Sequence, residues 1–280
     1  MDIGANRKLD CLHDGRDQIA LALAEIALAT GPAIMEIYLP DCTSRAKTDG
    51  SPVTVADERA EAIILARLKL IAPDIPVVAE EACAAGAQKR IAEHFFLVDP
   101  LDGTREFLKH NGEFTVNIAL IRNGAPIAGV VYAPALSRLW VGGDDAWTCN
   151  VEVGAAMPAV AERRRLTTRP GPDKLVAIAS RSHRDPETEA FLARVPTGDL
   201  KSAGSSLKFC LVAEGEADVY PRFGPTMEWD TAAGDAVLRA AGGVVLQPDG
   251  SPFAYGKADS GLRNGPFVAW GDPDTARVHS

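Results

Sequence analysis

The run Asp99-Pro100-Leu101-Asp102-Gly103-Thr104 sets two carboxylates three residues apart, one before a proline and one before a glycine. Pro100 fixes its own φ and biases Asp99 toward extended backbone, so the chain leaves residues 95–98 as a strand and turns sharply. Both acids can then face one point, the convergence of oxygens that a hard cation such as Mg²⁺ requires. Acidic loops at strand ends are common, so a metal site needs more carboxylates than these two. Three further signals supply them. Glu80-Glu81 follows the short strand 77–79, and Glu228-Trp229-Asp230 precedes a helix of small residues, Thr231-Ala232-Ala233-Gly234. Asp57 ends the run Ser51-Pro52-Val53-Thr54-Val55-Ala56-Asp57, at the start of a second helix. Five or six carboxylates in one pocket raise one another's pKa. Two or three divalent cations would relieve that repulsion and leave coordination positions open to substrate and water.

Several of these positions also admit a purely structural role. Thr54-x-x-Asp57 matches a capping box, so Asp57 can cap its helix. Asp230 can cap the helix that follows it, and the side chain of Glu81 points away from that of its neighbour Glu80. Trp229 reads as core packing and Arg163-Arg164-Arg165 as a solvated face. The five histidines, among them His94, His110 and His183, show no ligand spacing and read as surface residues.

Composition narrows the classes of function. A net charge of −9 over 280 residues argues against nonspecific binding to nucleic acid or to an anionic membrane as the main role. The cysteines Cys11, Cys42, Cys83, Cys149 and Cys210 are scattered and form no C-x-x-C pair, so neither a disulfide framework nor a zinc site is expected, and a reducing cytosol is the default. The N-terminus is polar, without the apolar core of a signal peptide. The apolar stretch 19–30 is interrupted by Glu25 and too short to span a bilayer, so it reads as a core-facing helix.

The elements that must position the acids follow from periodicity and punctuation. A helix is expected over 17–38, kinked or divided at Gly31-Pro32, then a turn-rich stretch over 47–52 and a helix over 56–70. Strands are expected at 77–79 and 95–98. A hairpin, 114–121 with 127–132, turns through Asn123-Gly124, and 139–141 adds a strand. Between 154 and 174, Gly154-Ala155-Ala156 and Arg169-Pro170-Gly171-Pro172 mark a connection. Beyond it, strands at 175–179, 217–220, 244–247 and 267–270 alternate with helices at 187–194, 206–214 and 231–241. The expected class is α/β: an α+β N-terminal half, residues 1–153, carrying most of the candidate ligands, and an alternating α/β half, residues 154–280, completing the site.

Taken in order, Asp57, Glu80-Glu81, Asp99 to Thr104 and Trp229 to Gly234 resemble the spaced motifs of the inositol monophosphatase superfamily of lithium-sensitive, Mg²⁺-dependent phosphatases. The four elements run over most of the chain and are together highly specific. The resemblance implies a layered αβαβα sandwich of the sugar-phosphatase type. It implies that Glu80, Asp99 and Asp102 bind a first Mg²⁺, with the Leu101 carbonyl as an extra ligand. Asp102 and Asp230, with Asp99, would hold a second, and Asp57 and Thr104 would position and activate the attacking water. Gly103 and Thr104 would open a short helix whose N–H groups receive a phosphate.

Further segments resemble the bacterial 3′(2′),5′-bisphosphate nucleotidase (CysQ-type) branch. They are 103–107, 111–120, 204–209, 217–222 and 224–230. That branch usually carries Lys where this chain has Arg105, which keeps the charge and changes the geometry. The branch implies hydrolysis of the 3′-phosphate of adenosine 3′,5′-bisphosphate, or of its sulfated form, to AMP (or APS) and phosphate by metal-activated water. Gly103, Thr104 and Asp230 would touch the substrate, with Ser205 and Lys208 gripping the second phosphate and Arg222 a further candidate. Read from sequence alone, Lys208 is equally an exposed helix residue. Two other activities in the superfamily compete, on inositol monophosphate and on fructose 1,6-bisphosphate. A non-catalytic phospholigand-binding regulator would have lost a metal carboxylate or Asp57, and none is lost. The resemblance also implies a small phosphorylated substrate rather than nucleic acid, no transmembrane segment, and a cytoplasmic enzyme. A homodimer and a peripheral position at the inner membrane are the options it leaves open.

Overall fold

The computed structural model describes residues 9, 14–39, 52–87, 91–180 and 185–279. Cys11, Cys42, His183 and all of the expected turn over 47–52 except Pro52 lie outside the described residues. Strand β2 (His94–Asp102) is buried along almost its whole length, as a strand covered on both faces must be. It sits in a seven-stranded sheet with β1 (Val77–Ala79), β3 (Thr115–Arg122), β4 (Ala125–Ala133), β5 (Arg138–Gly142), β6 (Ala146–Asn150) and β7 (Arg164–Leu166), ordered as in the chain. Only the β1–β2 pair is parallel. The β3–β4 hairpin turns where expected. Asn123 and Gly124 both take positive φ, 52° and 75°, and Arg122 pairs with Ala125, the geometry of a two-residue turn.

Helices α1 (Arg16–Tyr38) and α2 (Pro52–Ile71) cover one face of this sheet, burying Ile19, Leu23, Ile34, Ile64 and Leu68 against Phe96, Val98, Ile118 and Val130. Two expectations change here. Helix α1 runs through Pro32 without a break, and by length and composition it is long and apolar enough to cross a membrane. More than half of its most apolar window is nevertheless buried within this protein, against β4 and α2. His94, expected at the surface, is buried at the start of β2.

Helices α6 (Leu207–Ala213) and α7 (Glu228–Ala240) form the middle layer, and beneath them lies a second sheet. Its order is β12 (Val244–Leu246), β14 (Phe267–Trp270), β10 (Val219–Arg222), β8 (Leu175–Ser180) and β9 (Thr197–Ala203). Its outer face is closed by α5 (Pro186–Arg194) and α8 (Pro273–His279), with Phe191, Val268, Trp270 and Ala276 packed together. The result is the expected αβαβα layering. Strand β9 was not expected, because its polar, largely exposed residues carry no alternation and it closes a sheet edge. Three short elements complete the chain where it matters for the acids: α3 (Glu80–Ala84), α4 (Thr104–Leu108) and a ribbon of β11 (Thr226–Met227) with β13 (Arg263–Asn264).

The approach of α7 to the large sheet rests on absent side chains. Ala232, Ala233 and Ala236 face it, and the strands answer with Gly129 and Gly142. A Cβ at Gly142 would stand 2.6 Å from the Cα of Val237 and 2.7 Å from the Ala236 carbonyl oxygen, both backbone atoms that cannot swing away. Gly142→Ala is therefore expected to destabilise the protein by about 1–3 kcal/mol, the usual cost of overpacking. Chemical denaturation checks this, and an unchanged midpoint would contradict the packing account.

Candidate active site

Residues three apart on a regular strand face opposite sides of the sheet. Asp99 and Asp102 nonetheless line the same cleft. The reason lies in the register. Asp99 pairs with Asn117 and Asp102 with Thr115, so three steps on β2 match two on β3, and the extra residue turns Asp102 back toward the Asp99 side. Asp99 accepts the N–H of Leu101 at 3.0 Å, which folds its own carboxylate over the bulge. Gly103 then takes φ +98°, and a side chain there would press on the backbone of Glu113 and Phe114. Helix α4 starts at Thr104 as expected, with no side-chain cap on its first N–H groups.

The other acids arrive from separate elements. Ala79 of β1 is aligned with Val98 of β2, so Glu80, the first residue of α3, comes level with Asp99. Asp230 stands at the third position of α7, where its carboxylate accepts the Met227 N–H at 2.8 Å. It therefore caps its helix and faces the cleft as well. Oxygens of Glu80, Asp99 and Asp230 lie within 4.8 Å of one another. The cleft, about 350 Å³, is also lined by Leu101, Asp102, Gly103, Thr104, Ser205 and Lys208, with Arg105 and Arg222 adding positive charge.

Asp57 is differently placed from the sequence expectation. Helix α2 begins at Pro52, so both Thr54 and Asp57 lie within it and the capping-box reading fails. Asp57 is buried outside the lining of the cleft, in the field of Glu81, Glu80, Glu61 and Asp102. Glu81 does not line the cleft either.

Lys208 is not an exposed helix residue. It is 5% exposed, and its ammonium donates to the carbonyls of Ser205 and Ala203 and lies 5.3 Å from the Tyr220 ring centroid. Ser205, at φ +51°, gives its hydroxyl proton to Asp102 at 2.6 Å. Behind it Thr115 lies 2.5 Å from the Ser205 hydroxyl and 2.8 Å from that of Ser206, which donates to Asn117 at 2.7 Å. Thr115, Ser206 and Asn117 were missed in the sequence. A hydroxyl on a strand or at a helix start is ordinary, and only the register opposite Asp102 singles Thr115 out.

Burial is the main influence on every acid of the site. It lifts Asp57 to about 8, with Glu81 and Glu80 adding repulsion, and Glu80 to about 7, with Asp102 and Glu81 adding theirs. Asp230 rises to about 8 through burial and the nearby Asp102. Asp99 is held well above the usual carboxylate range by burial and Glu80, and Asp102 is raised by burial against the pull of Ser205 and Lys208. Burial also brings Lys208 down to about 8, against the attraction of Asp102. Converging, desolvated, all-oxygen donors of one sign fit a hard divalent cation.

A sign follows for stability. These carboxylates hold protons in the folded protein that the unfolded chain releases at ordinary carboxylate values. Without metal, stability must fall as pH rises from about 5 to about 8. Mg²⁺ binds the deprotonated site, so it is expected to raise the thermal midpoint more at pH 8 than at pH 5.5. Thermal scans at the two pH values, with Mg²⁺ and with chelator, check this; a midpoint indifferent to Mg²⁺ at pH 8 would count against the cation site.

Residues 16–270 match the inositol monophosphatase family. A relative named 3′(2′),5′-bisphosphate nucleotidase CysQ, from Shigella flexneri, is 46% identical over 248 residues, covering 87% of this chain and 96% of its own length. The crystal structure of CysQ from Bacteroides thetaiotaomicron, a bacterial member of the inositol monophosphatase family, is 42% identical with a TM-score of 0.78, over 90% of this chain and 97% of the other. An inositol monophosphatase from Zymomonas mobilis, 23% identical, shares the fold with a TM-score of 0.74 over 95% of this chain and 98% of its own. By its sequence, and by the fold it shares with a solved member of the family, this chain belongs to the inositol monophosphatase family.

Proposed function

We propose that this protein is a Mg²⁺-dependent phosphoric monoester hydrolase that removes the 3′-phosphate of adenosine 3′,5′-bisphosphate, yielding AMP and phosphate. The observation that carries the reading is the shared cleft: a buried lysine stands in the same cavity as three converging carboxylates, with Asp102 lining it as well. A substrate with two phosphates needs both, a metal-held phosphate at the reacting end and a fixed cation for the other. The identity to relatives named bisphosphate nucleotidases supports the same substrate.

Glu80, Asp99, Asp102 and Asp230, with the Leu101 carbonyl, would hold two or three Mg²⁺. Bound there, the metal supplies Lewis-acid charge and lowers the pKa of a coordinated water. Gly103 and Thr104 line the wall against which the 3′-phosphate rests, and the Thr104 hydroxyl orients the attacking water. We assign acceptance of the water's proton to Asp57, acting with the Thr104 hydroxyl from its buried place in the field of Glu80 and Asp102. The water oxygen bonds to phosphorus as the bond to the 3′ oxygen breaks; that oxygen takes a proton from solvent water, and Asp57 returns to solvent the proton it accepted. Lys208 and Arg222 take the 5′-phosphate. Ser205, its proton already committed to Asp102, serves the substrate by holding that carboxylate in place.

Steady-state assays in Mg²⁺ with adenosine 3′,5′-bisphosphate, its sulfated form, inositol 1-phosphate and fructose 1,6-bisphosphate test the substrate. The highest kcat/KM is expected on one of the first two, and preference for either of the last two would overturn the assignment. Asp102→Asn is expected to lower kcat more than about 100-fold with the fold intact by circular dichroism. Lys208→Met is expected to raise KM for the bisphosphate by about 10–100-fold while sparing adenosine 3′-monophosphate. Equal effects on both substrates would remove Lys208 from the second-phosphate site.

A further inference from the structure

Helix α3 opens at a strand end with Ala79 as its N-cap, a residue with no side-chain acceptor for the first N–H groups. Two of those groups are satisfied from another element. One oxygen of Glu61 accepts the Glu81 N–H at 2.8 Å, and the other accepts the Ala82 N–H at 2.8 Å. Glu61 belongs to α2 and is 6% exposed, so the bidentate contact is shielded from competing water. It stands four residues after Asp57, one turn along the same face of the helix. A single carboxylate therefore ties the helix that carries Asp57 to the turn that carries Glu80.

The choice of a charged group is informative. Glu61 lies close enough to Asp57 and Glu80 to repel both, in a site already crowded with negative charge. A serine or threonine at the N-cap would satisfy one of the same two N–H groups without that repulsion. What a local cap cannot do is fix α3 to α2. Conversely, the reach of a glutamate and the pairing of both its oxygens hold the two elements at one separation.

We propose that Glu61 is a positioning residue that sets Glu80 and Asp57 at a fixed mutual distance, so that the divalent cation enters a preformed site. The inference rests on the reading of Glu80, Asp99 and Asp230 as cation ligands. In its absence α3 would shift against α2 and the cation would have to order the Glu80 turn as it binds.

Isothermal titration of the full-length protein with Mg²⁺ and with Mn²⁺ tests this in four chains: wild type, Glu61→Asp, Glu61→Gln and Asp99→Asn. Glu61→Asp keeps the charge and is one methylene too short to reach both N–H groups. Glu61→Gln keeps the length and replaces one acceptor with a donor. Both are expected to raise Kd for the cation by about 10–100-fold, the usual effect of losing a group that orients a ligand, with an unchanged circular dichroism spectrum. The similar loss in Glu61→Asp separates geometry from charge. If both Glu61 variants bind the cations within twofold of wild type while Asp99→Asn does not bind, Glu61 only caps α3 and the proposal falls. If Asp99→Asn binds as wild type does, the carboxylate reading itself fails and the proposal falls with it.

Discussion

The mutual repulsion of carboxylates that the fold buries side by side is the constraint on which this structure turns. At an effective dielectric of about 20, two full charges 4.8 Å apart repel by about 3 kcal/mol, and Glu80, Asp99 and Asp230 make three such pairs. No single element could hold them together. Each arrives on its own support: Asp99 and Asp102 on a bulged strand, Glu80 on the first turn of α3, Asp230 on the first turn of α7. The energy that opposes separation therefore comes from the packing of the layers behind them. The raised pKa values are the same fact expressed as proton affinity, since without a cation a proton is the available counter-charge.

Helix α7 shows how packing meets that demand. Its alanines and the strand glycines Gly129 and Gly142 allow the helix and sheet backbones to approach closely, which holds the start of the helix at the end of β2. The start is also locked from the far side. Glu228, wholly buried, accepts the N–H groups of Gly256 and Lys257 and pairs with the Lys257 ammonium at 2.9 Å. Two residues further on, Asp230 gives one oxygen to the Met227 N–H and still faces the cleft. Helix capping, commonly an alternative to a functional role, here leaves the Asp230 carboxylate facing the cleft.

Most of this was legible in the sequence because it depends on local patterning. The bulged turn, the Asn123-Gly124 hairpin and the alternation of strands and helices after residue 174 are written in prolines, glycines and apolar period, and the acidic motifs stand in a recognisable order. The start of α2 lies four residues earlier than expected, at Pro52, a local signal at a first helical position, and this removes the capping alternative for Asp57. What else failed depended on longer range. Lys208 was balanced between exposed and functional because a helix of seven residues has too little periodicity to show its buried face. Thr115 and Ser206 carry no local signature, since their role exists only when β3 is in register with Asp102 and α6 comes to rest beside it. Glu61 lay in view at four residues from Asp57, but its partners are backbone N–H groups that no motif records.

On the proposed assignment, Lys208 is where a chain of net charge −9 would receive a second phosphate. Burial works against its charge, and the attraction of Asp102, Glu106 and Glu113 works for it. The acids that repel one another thus also sustain the cation beside them. A divalent cation on Asp102 would cancel part of that attraction, and a phosphate arriving at Lys208 would replace it. Neither end of the cleft is electrostatically complete alone: the acidic end needs cations, and the basic end then needs an anion. A ligand carrying phosphate at two positions, bound together with metal, satisfies both at once. On the same assignment, a ligand with a single phosphate would leave a buried ammonium facing acids whose charge a cation already meets, a desolvation cost that a bisphosphate would avoid.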